Sequence, residues 1–199
     1  MRESLQKRYL PSKAGINPTE QELAELVRRK DPAGMRCFYE RFVGYLTAVC
    51  SRYVADRSIV KDVLQEAFIN MLSHIDRFEY RGEGSLKAWA TRIVVNQSLK
   101  TLRNAGRLTL MEDLPEVSWE EEDLASLPDI PPEVLQEMIC SLPDGYRTVF
   151  NLYVLEKKTH REIAGLLGIK EDSSASQLSR ARAYLARRIK EYLKKQDNE

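Results

Sequence analysis

Residues 59–103, IVKDVLQEAFINMLSHIDRFEYRGEGSLKAWATRIVVNQSLKTLR, read as an amphipathic helix, a short polar loop and a second helix with a basic side. In the first helix Ile59, Val63, Leu64, Ala67, Phe68, Met71, Leu72 and Ile75 recur at helical spacing, which gathers Asp62, Gln65, Glu66, Asn70 and Ser73 on the opposite side. One face packs; the other is free to bind. Asp56 or Ser58 is the expected N-cap. The loop 78–85 breaks the period with Gly82 and Gly84 and offers Ser85 as the next cap. The second helix is expected to bury Leu86, Trp89, Ala90, Ile93 and Val94. Its other side carries Arg92, Asn96, Lys100 and Arg103 at spacings of four, four and three, so three positive charges and an amide share one row.

This order of residues resembles the promoter-melting domain of bacterial RNA polymerase sigma factors of the extracytoplasmic-function (ECF) family. The matching residues are Asp62-Val63-Leu64-Gln65-Glu66-Ala67-Phe68, then Asp76-Arg77-Phe78, then Trp89-Ala90-Thr91-Arg92-Ile93-Val94-Val95-Asn96, ending in Leu102-Arg103.

Net charge is only +1, so composition alone points to no nucleic-acid partner; the distribution of charge says more. Residues 1–106 hold 18 Lys+Arg against 12 Asp+Glu, residues 107–133 hold 1 against 9, and residues 134–199 hold 12 against 9. The segments therefore carry +6, −8 and +3, a basic–acidic–basic order that the sum conceals. A length of 199 residues with 43% apolar content suffices for one large or two small cores. Cys37, Cys50 and Cys140 are too few and too scattered for a disulfide framework, and His74 and His160 do not complete a metal site with them. No metal or other cofactor is expected. No apolar run approaches the roughly 20 residues that span a bilayer, and residues 1–15 lack a signal peptide's apolar core. The expected location is the cytoplasm, with no stable membrane insertion.

Residues 1–16, polar and basic with Pro11 and Gly15, read as a flexible tail. Ordered structure is expected to begin at Asn17-Pro18-Thr19, with Asn17 as a cap or Thr19 and Glu22 as a capping box. Asp31-Pro32 repeats the cap-plus-proline signal, and Met35, Phe38, Tyr39, Phe42, Tyr45, Leu46 and Val49 form the apolar side of the helix that follows. With the two helices above, residues 17–105 make a four-helix domain. Residues 106–132 mix Glu112, Asp113, Glu116, Glu120, Glu121, Glu122, Asp123 and Asp129 with Pro115, Pro128, Pro131 and Pro132, and read as an acidic linker. A solvated tether is one reading of it. The family resemblance implies another, a strap through the polymerase's nucleic-acid channel, and Leu110, Met111, Leu114 and Trp119 are apolar docking points for it.

Residues 133–140 and 143–155 read as two helices, followed by Thr159-His160-Arg161-Glu162-Ile163-Ala164-Gly165-Leu166-Leu167-Gly168-Ile169. Thr159 and Glu162 have capping-box spacing, Ala164 is small where a helix crosses, and Gly168 suits a positive φ at the helix end. This is helix-turn-helix chemistry. The last helix, from Asp172 or Ser173 to beyond Leu193, is expected to bury Leu178, Ala181, Leu185, Ile189 and Leu193 and to expose Ser173, Ser174, Ser176, Gln177, Arg180 and Arg182. Leu142-Pro143, Tyr146-Arg147, Val149-Phe150, Glu162-Ile163-Ala164, Leu167-Gly168-Ile169, Ser176, Leu178 and Arg180-Ala181-Arg182 make residues 133–195 similar to the sigma-factor domain that reads the minus-35 element. Two departures stand out: Asp172-Ser173-Ser174-Ala175-Ser176-Gln177 replaces a more basic helix entry, and Lys100 stands where Asp is frequent.

The resemblance implies an all-α protein of two small helical domains, regions 2 and 4 of a sigma factor, that binds core RNA polymerase and promoter DNA and is held by an anti-sigma factor. It assigns Asp62, Gln65 and Glu66 to the polymerase's clamp helices, and Phe78, Tyr80, Arg81, Arg92, Asn96, Lys100 and Arg103 to the minus-10 element. Tyr80 or Phe78 would wall an unstacked base there. Ser173, Ser174, Ser176, Gln177, Arg180 and Arg182 go to the minus-35 duplex, where Gln177 could pair with an adenine edge and the arginines anchor phosphates. Energetics agrees with a partner: melting about ten base pairs at roughly 1.4 kcal/mol per step far exceeds the about 1–3 kcal/mol regained per stacked base. No phosphate loop, catalytic triad or paired-acid motif supports an enzyme. The rivals are a stand-alone helix-turn-helix regulator, which would grip duplex without polymerase, and a sigma-like decoy for an anti-sigma factor, which should lack Arg92, Lys100 and Arg103.

Overall fold

The computed structural model describes residues 18–106, 108 and 130–196, and among these it contains eight α-helices, one 3-10 turn and no strand. The expected tail, the Asn17 cap and the acidic stretch with Leu110, Met111, Leu114 and Trp119 lie outside the described residues. The described residues up to Cys50 and from Asp56 to Ser98 form one compact unit, and Ser51–Ala55 with the described residues from Leu99 onward form another.

The first unit is built from α1 (Glu20–Arg28), α2 (Pro32–Tyr53), α3 (Arg57–His74), a 3-10 turn (Ile75–Arg77) and α4 (Ser85–Asn104), α2 and α4 running on into residues of the second. Thr19 caps α1: its Oγ1 accepts from the Glu22 N–H at 3.2 Å, and the Glu22 carboxylate accepts from the Thr19 N–H at 3.0 Å. Asp31 caps α2 through the Gly34 N–H at 2.7 Å, and Asp56 caps α3 through the Ser58 N–H at 2.8 Å. Leu23, Val27, Phe38, Leu46, Val63, Ala67, Met71, Leu86 and Ala90 then close over one another as a dry core. Phe38 stands edge-on to Phe42 and Phe68, with centroids at 5.1 and 6.1 Å. Tyr39 and Tyr45, expected on the apolar side, lie at its margin and are 50% and 36% exposed.

The second unit contains α5 (Pro132–Cys140), α6 (Asp144–Val154), α7 (His160–Leu167) and α8 (Glu171–Gln196). Met138, Leu142, Tyr146, Ala181, Leu185 and Ile189 form its centre, with Phe150, Tyr184 and Leu193 around them. The α5–α6 turn leaves helix-end carbonyls without partners, and the buried Arg147 supplies donors: it bonds the Cys140 and Leu142 carbonyls at 2.9 and 2.8 Å and pairs with Asp144. The Thr159–Glu162 capping box forms as expected, and Gly168 ends α7 at φ 70°, with its N–H returning to the Ala164 carbonyl at 2.9 Å.

That left-handed corner sets the angle of the helix-turn-helix, so Gly168→Val should lower unfolding free energy by about 1–2 kcal/mol, read as an earlier urea midpoint at unchanged slope. The Thr159 N–H and hydroxyl and the Lys158 ammonium hold the Glu162 carboxyl below its ordinary value. A depressed folded-state pKa contributes stability above the unfolded value and loses it as pH falls through the folded one. Glu162→Gln should accordingly flatten the acid-side decline of stability of the full chain.

Candidate functional site

The acidic face of α3 is set by the packing of its other face. Val63, Leu64, Ala67, Phe68 and Met71 are buried, which turns Asp62, Gln65 and Glu66 outward, and all three are exposed. Ile69, one turn on from Gln65 and Glu66, is exposed to 59%. It belongs to the same face and was not expected there, because at helical spacing it reads as one more apolar residue; only its offset from Val63, Ala67 and Met71 marks it. Gln97 of α4 donates to the Glu66 carboxylate and fixes it on the surface.

Loop 78–85 departs from expectation at its first residue. Phe78 is 3% exposed, and its ring lies against Trp89 with centroids 5.5 Å apart, so it belongs to the core and is not positioned as a wall for an incoming base. Glu79, Tyr80 and Arg81 follow in the open, with Arg81 paired to Glu79 at 3.0 Å and Tyr80 38% exposed. Gly82 and Gly84 take φ 119° and 90°, conformations that side chains avoid. Ser85 does not act as the N-cap. It is the first residue of α4, and its hydroxyl donates to the Gly82 carbonyl at 2.6 Å. The first free amides of α4 go instead to Glu20 of α1, whose carboxylate accepts from the Leu86 N–H at 2.7 Å and the Lys87 N–H at 3.2 Å.

Arg92, Asn96, Lys100 and Arg103 are all exposed along α4. Eleven residues of helix separate the first from the last, about 16 Å, a length that spans roughly five phosphates of one DNA strand. Lys87 is committed elsewhere, its ammonium 4.0 Å from the centroid of the Tyr45 ring.

The helix-turn-helix presents a different set from the one expected. Helix α8 begins at Glu171, and its buried stripe of Leu178, Ala181, Leu185 and Ile189 extends backward by three and four residues onto Gln177 and Ser174. Ser174 is fully buried and bonds the His160 ring at 3.0 Å, while His160 stacks on Tyr153. Gln177 is 2% exposed, its amide lies where a Cβ on Gly145 would come within 3.2 Å, and neither amide atom has a partner among the described residues. Neither residue is positioned to touch a base. Ser173, Arg180 and Arg182 are half-buried, with Arg182 5.8 Å from the Tyr153 ring centroid. Ser176 is exposed, and so are Lys170, Asp172, Ala175 and Ser179, which complete its face.

Cys37, Cys50 and Cys140 are free thiols, and burial pushes Cys37 and Cys50 up, away from the reactive thiolate. Among the described residues no group of three acidic, His or Cys side chains could hold a metal, and no helix is long and apolar enough to cross a membrane.

Residues 38–108 match the Sigma-70 region 2 family and residues 133–185 match the Sigma-70, region 4 family. The chain belongs to the sigma-70 family of RNA polymerase sigma factors, in its ECF group. It is similar to the ECF RNA polymerase sigma factor SigM of Bacillus subtilis, with 26% identity over 132 residues that cover 65% of this chain and 79% of that one. The RNA polymerase sigma-H factor of Pseudomonas aeruginosa is 24% identical over 187 residues, covering 88% and 96%. Among solved structures, the sigma factor RpoE of Bartonella quintana, crystallised with the anti-sigma factor NepR, is 18% identical over 77% of this chain and 96% of that one, at a TM-score of 0.46. Sigma factors direct promoter-specific initiation and are not themselves catalytic, and this chain carries both of the family's DNA-reading modules.

The buried amide of Gln177, without a partner among the described residues, is a burden on the fold. Gln177→Met, similar in volume and without polar atoms to satisfy, should raise stability by about 1 kcal/mol and leave promoter preference unchanged. A shifted preference at one upstream base would instead place Gln177 on the DNA.

Proposed function

We propose that this ECF sigma factor divides its work among three surfaces. Asp62, Gln65 and Glu66 dock on the clamp helices of the polymerase's largest subunit, with Ile69 as the apolar centre of that contact. Such a centre suits an interface in which a few desolvated side chains carry most of the binding. Tyr80 and Arg81 take up an unstacked non-template base of the minus-10 element, and Arg92, Asn96, Lys100 and Arg103 hold the duplex edge and its phosphates. At the minus-35 element the exposed face of α8 around Ser176, with Ala175 and Ser179 beside it, meets base edges, and Lys170, Arg180 and Arg182 meet phosphates. Residues 17–105 and 133–195 act as the two modules and residues 106–132 as their tether.

The observation that carries this reading is the sequential match to regions 2 and 4 in a chain whose α4 exposes three cations and an amide in one row. That row also argues against a sigma-like decoy. We further propose an anti-sigma factor as the resting partner, competing for the acidic face of α3, and action in the cytoplasm where the polymerase works.

Run-off transcription on genomic fragments tests the whole reading: the chain plus bacterial core polymerase should start RNA at defined positions, and output equal to core alone would end it. Asp62→Arg combined with Glu66→Arg should weaken binding to core by at least about tenfold with helicity unchanged. Undiminished co-purification would move the docking face elsewhere.

A further inference from the structure

Loop 78–85 is irregular backbone that Ser85 closes locally on the Gly82 carbonyl, and three side chains from outside tie its start, its middle and the helix start that follows it. At its start, Arg28 of α1 donates to the Phe78 carbonyl. In its middle, Arg41 of α2 pairs with Glu83 at 3.2 Å and with its other nitrogen binds the Pro18 carbonyl, just before α1, at 2.7 Å. At its exit the Glu20 carboxylate, 3% exposed, receives the Leu86 and Lys87 amides. Two of these three ties originate on α1 and the third also grips the chain leading into it. Residues 20–28 lie before residue 38, where the region 2 match begins.

The two α1 ties differ in kind from ordinary packing. Glu20 is an acid at a helix N-terminus supplied by a different helix, so it stabilises α4 electrostatically while fixing where α4 begins relative to α1. A carboxylate buried this far is retained only when its oxygens are satisfied, and both are. Arg28 fixes the opposite end of the same loop. Between them Glu79, Tyr80 and Arg81 remain in the open, so the clamps determine how the exposed residues are presented without covering them.

We propose that Glu20 and Arg28 are positioning residues for base capture: α1 holds loop 78–85 in the shape that accepts the unstacked minus-10 base. This rests on the reading of Tyr80 and Arg81 given above. A shape held before the base arrives lowers the ordering cost of binding it, so loosening either clamp should weaken the response to the base more than it weakens the fold.

The test uses full-length chain with core polymerase and duplex promoters in which each non-template minus-10 nucleotide in turn is made abasic, with open-complex formation read by permanganate. The wild type should show a penalty of about tenfold at one position, the size that stacking of a single base confers. Tyr80→Ala should abolish that penalty, and Glu20→Gln should reduce it to about twofold or less while core affinity is unchanged. Asp56→Ala, which removes the cap of α3 without touching α1 or the loop, should keep it. If Tyr80→Ala abolishes the penalty but Glu20→Gln slows intact and abasic promoters equally, Glu20 is structural only and the proposal fails while the capture reading stands. If neither substitution alters any penalty, the capture reading falls and the proposal with it. Should Glu20→Gln lose helicity, Arg28→Met at the loop's other end carries the same expectation and the same refutation.

Discussion

Loop 78–85 is closed within itself by Ser85, which bonds the Gly82 carbonyl, and is anchored at both ends from another helix, by Arg28 at the Phe78 carbonyl and by the buried Glu20 carboxylate where α4 begins just past it. Glu20 satisfies the first free amides of α4 and thereby fixes the point where a basic helix meets an open turn. The turn carries the exposed Tyr80, and the helix carries Arg92, Asn96, Lys100 and Arg103 away from it. A stacking surface beside a row of cations suits one unpaired base next to a duplex edge. That arrangement is useful only if the geometry exists before the DNA arrives, because stacking a base returns only about 1–3 kcal/mol against the far larger cost of opening a promoter.

The same constraint explains why the protein needs a larger partner. The chemistry of the exposed α8 face is modest: the helix begins with Glu171 and Asp172 exposed, and the surface around Ser176 offers hydroxyls and a methyl group with a single nearby lysine. Anionic residues at a helix entry weaken the pull on phosphates on which free-duplex affinity rests. On the proposed function, two weak modules held along one DNA molecule by the polymerase would act as a bivalent reader, with an effective concentration supplied by the assembly.

Much of the fold was legible in the sequence because its signals are local. The Thr19–Glu22 and Thr159–Glu162 boxes, the Asp31 and Asp56 caps and the glycine at the end of α7 each involve residues within four positions of one another. Apolar spacing identified the buried side of α3 and the exposed row on α4. What escaped was tertiary or a matter of register. Glu20 reads as a surface acid at the start of a helix, since nothing nearby in the chain shows that α4 will place two amides against it. Of the two aromatic residues the loop offers as a base wall, Tyr80 and Phe78, the second is claimed by Trp89 one helix later. The resemblance assigns Gln177 and Ser174 to the DNA, yet the spacing of Leu178, Ala181 and Leu185, carried back one turn, places both on the buried stripe.

The proposed division of labour requires that this chain open DNA only as part of the polymerase. Permanganate reactivity of thymines in an intact double-stranded promoter measures that directly, for the chain alone, core alone and the two together. A reactive patch about ten base pairs long should appear only with both components. Reactivity with the chain alone, or tight protection of the duplex by the chain without any reactive patch when core is added, would contradict it.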